Sequence, residues 1–330
     1  MASHIERRKF LATLGAATAW PLAARAQQPT PIVGLISSRS AQDAVRNVAA
    51  FRKGLDETGY VEGQNVTVEY HWMGGQFDRL PAVMADLVRR RVDVIATPAS
   101  RIGAQAAKAA TSTIPIVFGV GDDPVKLGLV ASLARPGGNA TGVNSFNTEV
   151  VAKRLGLLHD LLPKAVRIVV LVNPANAPIA EATLREVPEA ARALGLQIRV
   201  LNASTSREIE AAFASLGRDP AEALYVPGEG FFISRRVQFA TLATRYGIPA
   251  IYSNREFPEV GGLMSYGTDG LDTRHQVGIY TSRILKGAKP ADLPVLQSSK
   301  FEFVINVQTA RALGIEVPNS IQLLADEVIE

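Results

Sequence analysis

From residue 31 onward the chain alternates short apolar runs with amphipathic stretches, and it completes this pattern twice. Pro31–Ser37 (PIVGLIS) reads as a fully buried strand, and the stretch after it puts Val48, Phe51 and Leu55 on one helical face before Gly59 ends it. Val66–Trp72, Val92–Thr97 and Ile114–Val120 are further strands, separated by helices from Asp78 to Arg91 and near Ile102–Thr111. Asp123-Pro124 has the N-cap and first-turn residues that predict another helix start. Arg135-Pro-Gly-Gly-Asn139 then breaks the pattern. It restarts with a helix carrying Leu155, Leu158 and Leu162, and with strands at Arg167–Val172, Gln197–Leu201, Ala223–Val226 and Pro249–Tyr252. Pro188 lies inside the helix drawn to Gly195, which must kink there or begin later. Strands alternating with helices imply parallel sheets covered on both faces, so the expected class is α/β. Two such units fit the 330 residues.

The residue inventory removes several kinds of chemistry. There is no cysteine, which excludes disulfides, thiolate metal sites and a cysteine nucleophile. The four histidines (His4, His71, His159, His275) are far apart and lack metal-ligand spacing. Arg7, Arg8 and Lys9 precede an apolar run, Phe10–Ala19, and an Ala24-Arg25-Ala26 site, the layout of a signal peptide over residues 1–26 cleaved after Ala26. The run is too short to span a bilayer, so no stable membrane insertion is expected. Arg7-Arg8-Lys9-Phe10-Leu11 resembles a twin-arginine export motif, with Glu6 where Ser or Thr is usual; an ordinary Sec signal is the alternative. Cleavage would remove four basic residues and one acidic residue, leaving 31 and 30 and a net charge of +1 instead of +4. That balance gives no basis for nucleic-acid binding.

Catalytic signatures are also missing. No G-x-S-x-G elbow occurs, no phosphate-loop or dinucleotide glycine motif follows a strand, and the carboxylates have no assignable partner. The expectation is a protein that is not an enzyme and takes no cofactor or metal.

The segments Val92–Ser100, Ile114–Val143, Arg167–Asn176, Gly262–Asp269 and Ile284–Pro294 resemble a known family. The D-P-V…P-G-G-N-x-T-G-V run inside the second of these is the most specific. The family comprises periplasmic solute-binding proteins of ABC importers, in the group that includes binders of tryptophan and related aromatic amino acids. The resemblance implies the type I periplasmic binding architecture: two Rossmann-like lobes with parallel sheets, joined by a three-crossing hinge and holding ligand in the cleft. The expected lobes are 31–142 plus 271–296 and 143–270 plus 297–330, with crossings near Thr141–Val143, Thr268–Gly270 and Leu296–Ser299. The expected partners are a small-molecule ligand, an ABC permease and its ATPase; the expected location is the periplasm, and the expected state is a monomer. A sensory module presenting solute to a receptor is the alternative. The group's aromatic specificity is not itself implied for this chain.

In open α/β sheets, ligands sit beyond the carboxyl ends of strands. The candidate residues at such ends are Ser37, Ser38, Thr97, Ser100, Asp122, Asn173, Asn176, Glu229 and Asn254, with Asp269 at a crossing. Each is also a residue type that caps helices. Phe231 or Phe232, with Tyr252, could cover the apolar body of a ligand, since adjacent phenylalanines cannot both face inward on a helix. Arg39, Arg101 and Arg255 are candidates to pair a carboxylate. A small organic acid or amino acid suits these groups better than a sugar, which would call for more aromatic platforms. A polyamine would need a cluster of carboxylates, and these strand ends supply only Asp122 and Glu229.

Overall fold

A computed structural model describes residues 30–74, 76–145, 150–219 and 221–330. The expected signal peptide lies outside the described residues. The central strands are buried on both sides, so they need helices on both faces, and the chain supplies them in order. The first unit runs β1 (Ile32–Ser37), α1 (Val45–Asp56), β2 (Thr67–Trp72), α2 (Leu80–Arg90), β3 (Val94–Pro98), α3 (Arg101–Ala110), β4 (Ile116–Val120) and β5 (Ala140–Asn144). The second runs α4 (Val150–Leu161), β6 (Arg167–Val172), α5 (Ala177–Ala193), β7 (Gln197–Asn202), α6 (Ser206–Leu216), β8 (Ala223–Tyr225), α7 (Gly230–Ser234), α8 (Arg236–Arg245), β9 (Ala250–Tyr252) and β10 (Met264–Thr268). The remainder is α9 (Gly270–Leu285), β11 (Leu296–Gln297), β12 (Phe301–Asn306), α10 (Val307–Ala312), α11 (Asn319–Leu324) and β13 (Glu327–Ile329).

Two sheets result. The first has the order β11-β5-β4-β3-β1-β2 and is parallel throughout. The second has the order β13-β12-β10-β9-β8-β6-β7 and is parallel except where β12 pairs antiparallel with β10. The chain passes between sheets three times: after Asn144, between Thr268 and Gly270, and between Gln297 and Phe301. The first passage comes later than Thr141–Val143, because Val143 and Asn144 are still paired with Gly119 and Val120.

The two-residue period of the strands sorts side chains into separate cores. In the first lobe Val33, Leu35, Val94, Ala96 and Val117 face α1 and α9, whereas Ile36, Ile95, Ile116 and Phe118 face α2 and α3. In the second, Ile168, Val170 and Val172 pack on one face and Val169 and Leu171 on the other. Helix α9 follows a strand of the second sheet yet packs along α1 of the first lobe. It can do so because a Cβ on Gly54 would lie 2.1 Å from the His275 carbonyl oxygen, and one on Gly278 would lie 2.2 Å from that of Phe51. Glycine at both positions lets the two backbones touch.

Two local expectations need correction. Asp123-Pro124 opens a turn and not a helix: the Asp123 carboxylate accepts the amides of Val125 and Lys126, and Gly128 takes a left-handed φ of 69°. Of the two readings for Pro188 the later start is overturned, because α5 begins at Ala177 and carries the proline inside its 17 residues.

Candidate functional site

In open α/β folds the site is expected beyond the carboxyl ends of the strands, which here are the loops after β1, β3, β4, β6, β8, β9 and β10. On the first lobe, Leu35, Ser37, Ser38, Arg39, Asn47, Trp72, Pro98, Ala99 and Arg274 line a small hollow. The Ser37 hydroxyl accepts the Arg39 amide at 3.2 Å, and Ser38 lies within 3.5 Å of the Ala99 carbonyl. Ala99 has a φ of 86° although it carries a side chain, a strained conformation costing about 1–2 kcal/mol. Thr97 is fully buried, and its hydroxyl has no partner. Ser100 caps α3 by accepting the Gly103 amide at 3.1 Å. Burial raises the Asp122 carboxyl above the ordinary carboxylate range, against the opposing pull of Arg101 at 3.8 Å.

The second lobe presents polar groups that mostly satisfy one another. Asn173 Nδ2 donates to Glu229 Oε1 at 2.8 Å, and the same carboxylate accepts the Phe231 amide at the start of α7. Asn254 Oδ1 accepts the Glu256 amide at 3.1 Å. Asn176 precedes α5 without capping it, and its Oδ1 is buried with no partner. Arg154 donates to the Tyr266 carbonyl at 2.6 Å and to the Tyr225 hydroxyl at 3.2 Å. At the hinge, Asp269 caps α9, accepting the amides of Leu271 and Asp272.

The aromatic candidates separate cleanly. Phe232 is fully buried among Phe239 and its neighbours, whereas Phe231 is half-buried with Arg235 over its ring. Tyr252 does not serve as a wall: it is fully buried and stacked on Phe257 at 4.3 Å, and burial raises its phenol pKa. Arg255 is likewise committed, to Glu259, Glu302 and Glu327. Arg39 reaches across the cleft to Glu256 of the second lobe at 2.5 Å. A second bridge, Arg46 to Glu259 at 2.7 Å, lies beside it. Among the described residues, no cluster of His, Asp and Glu could hold a metal ion, and no helix is long and apolar enough to cross a membrane.

Trp72 and Arg274, together with Asn47, line the first-lobe hollow without having been singled out from the sequence. Trp72, at the end of β2, stacks on Tyr70 at 5.3 Å and lines the hollow. Its place at a strand end, with an aromatic two residues earlier on the same face, was the available signal. Arg274 gave no such signal, because it sits inside a helix and reaches the first-lobe cleft only through the chain's return at α9.

A two-lobed α/β protein with a polar cleft at its strand ends can be compared directly with known families. Residues 32–329 match the family described as ABC transporter substrate binding protein. The chain belongs to this family. This substrate-binding protein is 30% identical over 272 residues to a tyrosine-binding protein of Clostridioides difficile (strain R20291), covering 81% of this chain and 76% of the relative. Among solved structures, a domain from Streptococcus pneumonia in complex with L-Trp matches with a TM-score of 0.81 and 26% identity, over 91% of this chain and 100% of that one. The ligand-free, open form of a substrate-binding protein with adhesive properties from Clostridium difficile matches with a TM-score of 0.72 and 27% identity, over 91% and 99%.

Proposed function

We propose that this substrate-binding protein acts in the periplasm as the solute receptor of an ABC importer, carrying an amino acid or a related small organic acid to the permease without changing it. The observation that carries this is the cleft itself. Two lobes joined by three strands of chain face each other across polar strand ends, and the family match spans both lobes. The names of the similar proteins, which concern tyrosine and L-Trp, favour an amino acid with a flat body. Half-buried Trp72 and Phe231, one from each lobe, are suited to cover such a body. The cross-cleft bridges from Arg39 and Arg46 resemble a closed arrangement. In agreement, the fold lies nearer the L-Trp complex than the ligand-free open structure, at nearly equal identity.

A ligand can bias opening and closing only through its differential affinity for the two states. The test is a thermal-shift screen of the mature chain across amino acids, aromatic acids, sugars and polyamines. The expected outcome is a shift with one or a few amino acids or aromatic acids, and recovery of the ligand unchanged. A shift with sugars or polyamines alone would move the protein to another substrate class, and recovery of an altered ligand would make it an enzyme.

A further inference from the structure

Among the described residues, Arg274 is the arginine that is buried without an acidic partner. Only 8% of it is exposed, yet it lines the first-lobe hollow. Its Nη1 donates to the Gly270 carbonyl one turn earlier in α9, and its Nε is buried with no acceptor. Among the described residues no carboxylate lies within ion-pair distance of it. The charged groups around it are Arg39, which repels it, and Glu256 and Asp269, which attract it from farther off. Asp269 is occupied capping α9, and Glu256 gives Oε1 to Arg39 while its buried Oε2 accepts no hydrogen bond among the described residues and lies 3.8 Å from Arg236. Burial, and secondarily Arg39, push the guanidinium down to about 10, so it is still a cation at neutral pH.

A buried cation without a counter-ion is costly, and a protein holds one where an anion can complete it. The surroundings of Arg274 supply what a carboxylate would also need. Ser37 and Ser38 stand across the same hollow, Ala99 holds strained backbone at its edge, and Trp72 offers a flat apolar wall beside the charged end. The guanidinium presents a planar fork of donors that matches a carboxylate better than a lysine ammonium would.

We propose that Arg274 is the carboxylate anchor of the cleft, so that the ligand's acid group docks on the first lobe and its body lies toward Trp72. This rests on the amino-acid or organic-acid reading given above, and it adds the group that enforces the class. Arg39 then has a separate part: it can remain paired with Glu256, closing the cleft over a ligand that Arg274 already holds.

The experiment is calorimetric titration of wild type, Arg274→Lys and Arg274→Gln with matched acids and amides. The probes are L-tyrosine and L-tyrosinamide, L-tryptophan and L-tryptophanamide, and indole-3-acetate and indole-3-acetamide. Wild type is expected to prefer the acid of its bound pair by at least about a hundredfold. Arg274→Gln should erase that preference by weakening the acid to the level of the amide, and Arg274→Lys should retain part of it. A merely structural role at Gly270 would weaken acid and amide together and leave the ratio intact, which overturns the proposal. Should Arg274→Gln fail to fold, an unchanged ratio in Arg274→Lys overturns it equally. Arg274-dependent binding of indole-3-acetate without either amino acid would keep the anchor and discard the amino-acid reading. Wild type binding no acid better than its amide would discard the anchor, whatever the ligand class.

Discussion

The two lobes are built on the same plan but meet the cleft in different chemical states. On the second lobe the ionic groups are hydrogen-bonded before any ligand arrives: Glu229 with Asn173 and the Phe231 amide, Arg154 with the neutral oxygens of Tyr266, Tyr225 and Ser253, Arg255 with three carboxylates. On the first lobe Arg274 is left with one backbone carbonyl, and Thr97 with nothing. The difference assigns unequal work to the halves. A donor that already has several hydrogen-bond partners gains less by gripping an anion than a buried donor left with one. Under the proposal above, the first lobe anchors the ligand and the second closes over it.

The first lobe also depends on a borrowed helix, which gives the largest expected contrast. Gly278→Leu would drive a side chain into the α1 backbone and should cost more than about 3 kcal/mol, read as a lowered urea midpoint. Gly156→Ala, on a helix of the second lobe with open space around that glycine, should be neutral or stabilise by about 0.5–1 kcal/mol. Equal losses at the two sites would remove the distinction between a lobe sealed by helix contact and one that is not. Next in size, Glu229→Ala strips the cap of α7 and leaves the Asn173 amide without its acceptor. About 1–2 kcal/mol should be lost in chemical denaturation. The acid-over-amide preference should survive, since this carboxylate is structural. The smallest effect belongs to Glu256→Ala. The Arg39 bridge is about one-fifth exposed, so it contributes only about 0–1 kcal/mol. That is still enough to shift a balanced open–closed equilibrium, and the ligand-free radius of gyration should rise in solution scattering, with unchanged thermal stability of each lobe.

The legibility of the molecule follows the range of the forces involved. Strand runs such as Arg167–Val172 declare themselves because every residue after Arg167 is apolar, and caps such as Ser100 and Asp269 because their type is local chemistry. The alternation between α and β is written the same way. Long-range events are not. The antiparallel placement of β12 against β10 is set by where the third passage delivers the chain, which no local pattern encodes. Tyr252 sits at a strand end like a cleft residue, yet its face of the sheet turns it onto Phe257. Arg274 belongs by sequence to a helix after the second sheet, and only the close approach of Gly54 and Gly278 brings it to the first lobe. Asp123-Pro124 has strong helix-start residues, but Gly128 closes the segment as a turn before a helix can form.

The division of labour between the lobes is tested most directly by a crystal structure of the mature chain saturated with the tightest-binding acid from the screen. The account predicts the ligand carboxylate within hydrogen-bonding distance of the Arg274 guanidinium on the first lobe, with the Asn173–Glu229 pair undisturbed on the second. A carboxylate held by second-lobe groups, with Arg274 still bonded only to the Gly270 carbonyl, would contradict it.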